Sequence, residues 1–342
     1  MVALSVVILA LFLISLTFSG YAIILRVRHR RRDEMWVELS ARWEAPVLAT
    51  IMDPEKIPEA QALVSEEHRL HFVRFILEYT RRVRGLERRT LRKLVAPYLD
   101  GIAKRVGDRR SEVRTRAIQT LGTLGLPKYS KEVLAGLDDP SPLVSMVAAR
   151  YLARREFPEF APAVLKRLHR FEGWNRRFLA SMLAEMGPEA SPTLREKLAD
   201  QNEPAWLRAV HAEALGMQLD LLAGNVAVEV LGTAEDRDLI VANLRLLAAV
   251  GRPDHLPVIR ERCAVSDVVI RAQALHALGL LGDTEDVPLL LEAMDDPSPW
   301  AAIHAARGVR EAGGERILAE IAESGSPNAE LARQILFEEN GA

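Results

Sequence analysis

The chain is 342 residues long, 49% hydrophobic, 27% charged and 6% aromatic, with one cysteine and a formal net charge of −2. A single cysteine excludes an intrachain disulfide and any multi-cysteine zinc site, and the shortage of aromatic residues beside abundant Leu, Ala, Arg and Glu favours helices over sheet. The small net charge conceals an asymmetry: residues 26–116 carry 22 Lys/Arg against 14 Asp/Glu, a net of +8, and the remainder carries 23 against 33, a net of −10.

Val2 to Leu25 is a run of 24 residues without a charge, long enough as a helix to cross a hydrocarbon core of about 30 Å. No positive charge precedes the run and no small-x-small cleavage site follows it, so it reads as an anchor rather than a cleaved signal peptide. The arginines that follow, Arg26, Arg28, Arg30, Arg31 and Arg32, are expected to stay in the cytoplasm and to contact anionic lipid. The expectation is a single-pass protein of the inner, cytoplasmic membrane, with its N-terminus outside and everything after Arg26 inside. Residues 1–25 form the transmembrane anchor on this reading, 26–59 a basic juxtamembrane segment and capping helix, and 60–342 a repeat region. Within 26–59, Trp36, Leu39 and Trp43 recur at helical spacing. They suit either an interfacial helix or a cap over the first repeat, and the apolar Val47, Leu48, Ile51 and Met52 beyond Pro46 favour the cap.

From Pro58 onward the apolar pattern comes in helix pairs, the first predicted over Ala60–Arg84 and Arg89–Val106. The block VRTRAIQTLGTLGLPKYSKEVLAGLDDPSP, Val113 to Pro142, returns without a gap as IRAQALHALGLLGDTEDVPLLLEAMDDPSP, Ile270 to Pro299. The offset from Val113 to Ile270 is 157 residues, five steps of about 31, the signature of a stacked repeat array. The period predicts repeats at Asp108–Asp138, Asp139–Gly173, Trp174–Asp200, Gln201–Glu235, Asp236–Ser266, Asp267–Asp295 and Asp296–Ser324, then a last helix over Pro327–Glu339. About eight units would stack as a right-handed superhelix with Leu121, Leu134, Leu278 and Leu291 between the layers. Ser141, Ser191, Ser298 and Ser326, each followed by proline, read as helix N-caps. Gly122, Gly125, Gly216, Gly251, Gly279 and Gly282 read as left-handed exits from first helices. Ala117, Ala148, Ala149, Ala274 and Ala305 read as points of close helix approach.

Asp108, Val113, Arg114, Ala117, Leu121 and Gly122 in one copy, and Asp267, Ile270, Arg271, Ala274, Leu278 and Gly279 in the other, carry a resemblance to the HEAT-like repeat, in the short variety also found in phycobilin lyases. Leu207, Arg208 and Leu215-Gly216 fit a third copy; those at Trp174 and Asp236 lack the Val-Arg pair. The resemblance implies an all-α solenoid with a long concave surface built from second helices. It is similar, too, to anchored bacterial HEAT-repeat proteins that accompany membrane glycosyltransferases or polysaccharide-export machinery.

No phosphate loop, His-Glu-x-x-His, Gly-x-Ser-x-Gly or Cys-x-x-Cys motif occurs, so no catalytic residue, cofactor site or metal ligand is assigned. His276 and His304 lie on first helices of successive repeats, but by alignment His276 matches Arg307 and His304 matches Gln273, so no metal-binding column is expected. Asp138, Asp139, Asp295 and Asp296 fall in inter-repeat turns, where capping accounts for them. Cys263 lies on an apolar helical stripe and reads as a small buried hydrophobe. The basic stretch from Arg81 to Lys93, with Arg81, Arg82, Arg88, Arg89 and Arg92, suits anionic lipid, nucleic acid or a solvated helix face. The anchor favours lipid over nucleic acid, and no aromatic residues interleave for base stacking. Trp174, Arg176 and Arg177 are the candidates for partner binding, with Trp206 and Trp300 at similar helix starts. The sequence therefore predicts a membrane-tethered scaffold for a protein partner, without a small-molecule substrate. The alternative is an enzyme of the same fold, a phycobilin-type lyase or a DNA glycosylase-like protein.

Overall fold

The computed structural model describes residues 2–80 and 82–338, and the side chains of residues 2–14, 22, 29 and 32 lie outside that description. Among the described residues every regular element is helical. The chain divides into two compact units, Met1–Ala148 and Ala149–Ala342.

In the first unit, α1 (Val2–Met52) runs through Pro46. Proline costs a helix one internal hydrogen bond, and here the helix is held on both sides of it by burial: Trp43 and Val47 are 1% exposed and Leu39 is 7%. The Trp43 ring lies edge-on to Phe72 at 5.2 Å and 5.8 Å from Phe75, so this part of α1 covers the first helix pair. Among the described residues no helix is long and apolar enough to cross a membrane. The span expected at Val2–Leu25 falls largely on residues whose side chains lie outside the description. The first pair is more broken than its periodicity predicts. It comprises α2 (Ile57–Ala62), α3 (Arg69–Thr80), α4 (Gly85–Val95) and α5 (Asp100–Ala103). Gly85 opens α4 with φ +60°, and Pro97, which has no N–H to give, ends that helix in a 3-10 turn. Polar ties bind the pieces: Gln61 Nε2 donates to the Leu94 carbonyl (2.9 Å) and Tyr98 O–H to the Gln61 carbonyl (3.2 Å). The next pair is α6 (Ser111–Leu124) and α7 (Ser130–Ala135), and α8 (Pro142–Leu152) follows.

The second unit continues with α9 (Ala161–Leu165), α10 (Arg176–Ala184), α11 (Ser191–Ala199), α12 (Ala205–Met217), α13 (Ala223–Thr233), α14 (Arg237–Val250) and α15 (Leu256–Arg262). It closes with α16 (Val268–Leu281), α17 (Val287–Glu292), α18 (Pro299–Val309), α19 (Glu315–Glu323) and α20 (Ala329–Phe337). First helices pack side by side in a row, α10, α12, α14, α16 and α18, and each second helix packs against the first helix after it, α11 on α12 through α17 on α18. At the α16–α18 crossing a Cβ on Gly279 would stand 2.3 Å from the Gly308 Cα, so both glycines are there for space.

Two repeats are tied to the next by an arginine–carboxylate fork. Arg114 donates through Nε and Nη2 to both oxygens of Asp139 (2.7 and 2.8 Å), and Arg271 does the same to Asp296 (2.5 and 3.0 Å). The third guanidinium nitrogen turns back to the preceding turn, Arg114 Nη1 to the Asp108 carbonyl and Arg271 Nη1 to the Val265 carbonyl. Each carboxylate also accepts the first free amide of the next helix start, Ser141 N or Ser298 N, at 2.8 Å. The hydrogen bond from Arg271 holds the Asp296 carboxyl below the usual carboxylate range. On the second helices, Arg195 pairs with Asp220, and Arg260 with Asp286 at 2.6 and 3.1 Å. Arg208 has Thr233 where the acid would stand, 25 residues on as in Arg114–Asp139 and Arg271–Asp296. Its Nε donates to the Leu198 carbonyl instead, and burial lowers its pKa.

The local expectations hold in some places and fail in others. Leu121 and Leu278 are 1% and 0% exposed and the five alanines are buried, but Leu134 and Leu291 are half-buried. Second helices of six residues give way to 3-10 turns, and the change of pitch buries Val133 and Leu137, or Leu290 and Met294, instead. Ser298 makes no side-chain cap bond and Ser191 Oγ donates to Gln218 Oε1; the side-chain caps seen are Asn175, Asp236 and Asp267 on other helices. Of the six glycines, Gly125 alone is left-handed (φ +59°). Gly251 and Gly282 are extended and needed for space, since a Cβ would meet the Leu247 or Leu278 carbonyl oxygen within 2.6 Å. The last helix ends at Phe337; Glu339, its expected end, lies outside the described residues.

Counted from the start of its helix, His211 stands where Ala117, Ala274 and Ala305 stand in other first helices. It is 2% exposed, and neither ring nitrogen has a hydrogen-bond partner. Burial pushes its pKa down to about 4 from 6.5. The folded protein therefore holds His211 neutral, the unfolded chain protonates it below 6.5, and this stability, present above 6.5, is lost as pH falls toward 4. The loss amounts to about 3 kcal/mol at the acid end of that window. His211→Leu is expected to flatten the fall in stability between pH 7 and pH 5, measured by urea denaturation of the full chain at both.

Candidate functional site

Turns between the two helices of a repeat are polar at Arg252-Pro253-Asp254, after α14, and at Asp283-Thr284-Glu285, after α16. The turn after α12 reads Met217-Gln218-Leu219-Asp220-Leu221-Leu222, and its polar and apolar residues are inverted in space. Gln218 points inward: its Nε2 donates to the Gly187 carbonyl at 3.0 Å, with longer contacts to the Leu183 and Ala184 carbonyls at the end of α10. Asp220 is bound by Arg195 and accepts the Leu222 amide at 3.1 Å. The apolar residues point outward, with Met217 43%, Leu219 64%, Leu221 65% and Leu222 61% exposed.

Leu219 has φ +54°, the one non-glycine residue with positive φ among those described. It closes α12 in a Schellman-type turn, with the Asp220 amide donating to the Leu215 carbonyl at 3.1 Å. Glycine normally takes that left-handed position, and leucine there costs about 1–2 kcal/mol. A leucine in a strained conformation, with its side chain in water, has no folding rationale.

Beside this knuckle the first helices α10, α12 and α14 carry a charged ladder. Glu213, with its side chain 11% exposed, lies 3.6 Å from Arg176 and 3.7 Å from Arg245. Arg176 also reaches Asp238 at 3.1 Å, and Arg245 Nε donates to Gln273 Oε1 at 3.2 Å. A hollow of about 410 Å³ opens along the ladder, lined among others by Arg177, Glu213, Met217 and Arg245. The ladder continues to His276 and His304, whose ring centroids are 5.3 Å apart, with Trp300 5.6 Å from His304. The two histidines thus meet diagonally across neighbouring helices although they share no alignment column. Burial first, then His276 and Arg307, push His304 down to about 4, so the pair is neutral at pH 7. Among the described residues no group of three or more His, Cys, Asp or Glu is placed to hold a metal ion. Cys263 is 7% exposed and burial pushes its thiol up to about 12.

Of the residues singled out from sequence, Arg176 belongs to the ladder and Arg177 lines the hollow. Trp174 is half-buried against Phe171 at 5.9 Å, Trp206 is half-buried and Trp300 is 42% exposed. In the basic segments Arg26, Arg28, Arg30, Arg31, Arg82 and Arg89 are exposed, whereas Arg88 and Arg92 are half-buried. Arg88 Nη2 donates to the Thr123 carbonyl at 3.1 Å, which ties α4 to α6. The Arg32 side chain and Arg81 lie outside the described residues.

The family model of HEAT repeats matches residues 224–310. The karyopherin Kap121p bound to the extreme C-terminus of the protein phosphatase Cdc14p aligns at TM-score 0.46 and 12% identity over 82% of this chain. Kap121p bound to Pho4p aligns at 0.46 and 13%, again over 82%. The chain spans 38% of the length of Kap121p in each. The complex of CpcE and CpcF of phycocyanin lyase from Nostoc sp. PCC7120 aligns at TM-score 0.34 and 17% identity, over 70% of this chain and 87% of that one. A search of curated proteins by sequence finds no match.

The strain at Leu219 generates an expectation that separates folding from binding. Leu219→Gly removes it and should raise the stability of the full chain by about 1 kcal/mol, read as a higher denaturant midpoint.

Proposed function

We propose that this chain is a membrane-tethered scaffold that works by binding a protein partner, with no catalysis of its own. The outward leucine knuckle carries this reading: Leu219, Leu221 and Leu222 are held rigidly in water by Gln218 and Asp220, and burying each against a partner would return roughly 1.5–3 kcal/mol. Preorganisation supports it further, because a turn already locked loses little conformational entropy on binding. The ladder and hollow next to it supply Arg177 and Arg245 as polar contacts that fix register.

The tether is the uncharged run Val2–Leu25, followed by five arginines within residues 26–32. That order supports an N-terminus outside and a repeat region in the cytoplasm, at the inner membrane. Exposed Phe18, Tyr21, Ile23 and Ile24, at 71%, 61%, 62% and 53%, are consistent with a lipid surround, and Arg26, Arg28, Arg30 and Arg31 with anionic headgroups. The resemblance to anchored bacterial HEAT-repeat proteins points to a partner in or on the same membrane, in the class of glycosyltransferases or polysaccharide-export components.

The test uses the full-length chain in detergent as bait. A protein captured by the wild type is expected to be lost with Leu221→Asp/Leu222→Asp and kept with Leu86→Asp, which alters a leucine 75% exposed in the first unit. Capture unaffected by the double variant, or lost equally with the control, would contradict the knuckle's role. Deleting residues 2–25 should leave capture intact but abolish insertion of the purified chain alone into phosphatidylcholine vesicles, and a deleted chain that still inserted would count against the tether.

A further inference from the structure

A second surface lies in the first unit. Between α3 and α6 the structure opens a groove of about 580 Å³, whereas the successive first helices of the second unit are in close contact. The irregular stretch around α5 packs against α6 beside it, and α3 and α6 touch over only part of their length. Leu70, Leu77 and Val113 supply its accessible apolar surface over buried Val73 and Ile102, Arg74, Arg105 and Arg116 stand around it, and no acidic residue lines it. Arg105 and Arg116 are exposed, and among the described residues neither is ion-paired. Arg74 stacks over the Trp36 ring at 4.8 Å, which ties the groove to α1.

We infer that this groove receives an acidic amphipathic helix from a membrane-embedded partner, its apolar stripe on the floor and its carboxylates on Arg105 and Arg116; Arg74 already pairs with Glu78 at 4.0 Å. Helix-in-groove recognition needs an apolar trough with flanking charge of one sign, and a trough of this volume is of the size that seats such anchors. Anionic lipid has the same charge, and α1 serves as a ruler against it. Trp36 lies 11 residues beyond Leu25, about 16 Å along a helix, while headgroups extend only about 5–8 Å beyond the hydrocarbon. The groove therefore opens past the headgroup layer, where a juxtamembrane protein segment reaches and a lipid does not. This placement rests on the tether reading, but the groove's preference for an acidic helix does not.

The test is fluorescence anisotropy with the full-length chain in non-ionic detergent. The probe is a labelled 16-residue synthetic helix with leucine at i, i+3, i+4 and i+7 and flanking glutamates, and its twin carries lysine for every glutamate. The acidic peptide is expected to bind at least about tenfold more tightly than the lysine twin. Arg105→Glu/Arg116→Glu, at exposed positions that leave the helical circular dichroism unchanged, should reverse that preference. Dihexanoyl phosphatidylglycerol below its micelle concentration should not compete. Equal binding of the two peptides, indifference to the double variant or displacement by the lipid would each overturn the inference. Peptide binding that survives Leu221→Asp/Leu222→Asp keeps this result separate from that of the knuckle.

Discussion

The bidentate arginine–carboxylate fork is the constraint on which the rest of the structure depends. In Arg114–Asp139 and Arg271–Asp296 one guanidinium closes its own repeat's turn, grips the carboxylate of the next turn and, through that carboxylate, fixes the first amide of the following helix. Side-chain exposures of 14% and 9%, and of 14% and 8%, place these pairs where removing one partner leaves the other charge partly desolvated and without its fork, which is destabilising. A stacked array has no central core to set the position of each repeat. A directional contact between neighbours supplies that registry, and apolar packing between first helices supplies the bulk of the stability.

Both proposed surfaces are departures from this regular scheme. Where Arg195 and Gln218 hold a turn whose outward residues are leucines rather than polar groups, the fork becomes a mount for a binding knuckle. Where the chain around Asp100–Gly107 breaks into short helical pieces, α3 and α6 meet over only part of their length and a groove remains. Regularity gives the protein its stability, and irregularity leaves surface uncovered. The charge asymmetry follows the same division: the groove lies in the segment with net +8, and the knuckle in the part with net −10.

Much of this is legible in the sequence because repetition is a statement about packing. The match between Val113–Pro142 and Ile270–Pro299 identifies the helix pairs, the buried Leu121 and Leu278 and the close-approach alanines before any coordinates. Details that depend on a few degrees of backbone are not legible. The 3-10 turns after α7 and α17 shift burial by one position, and at Ser298 it is the Asp296 carboxylate, two residues earlier, that takes the free amide at the helix start. Glycines that look like turn formers are there mostly for space. The knuckle is hidden for a different reason: Leu-Asp-Leu-Leu reads as the start of an apolar helix, and only the positive φ of Leu219 shows that its side chain is turned to water. The contact of His276 with His304 escapes alignment because neighbouring helices meet diagonally.

The claim that arginine-bound carboxylates lock turns to the preceding pair is tested most directly at Asp220, where the lock and the proposed binding surface coincide. Hydrogen exchange of the full-length chain should show, for Asp220→Ala, faster exchange at the amides of Leu219 to Ala223, with the interiors of α12 and α13 still protected. Unchanged exchange at those five amides, or a loss of protection spread evenly through both helices, would contradict it.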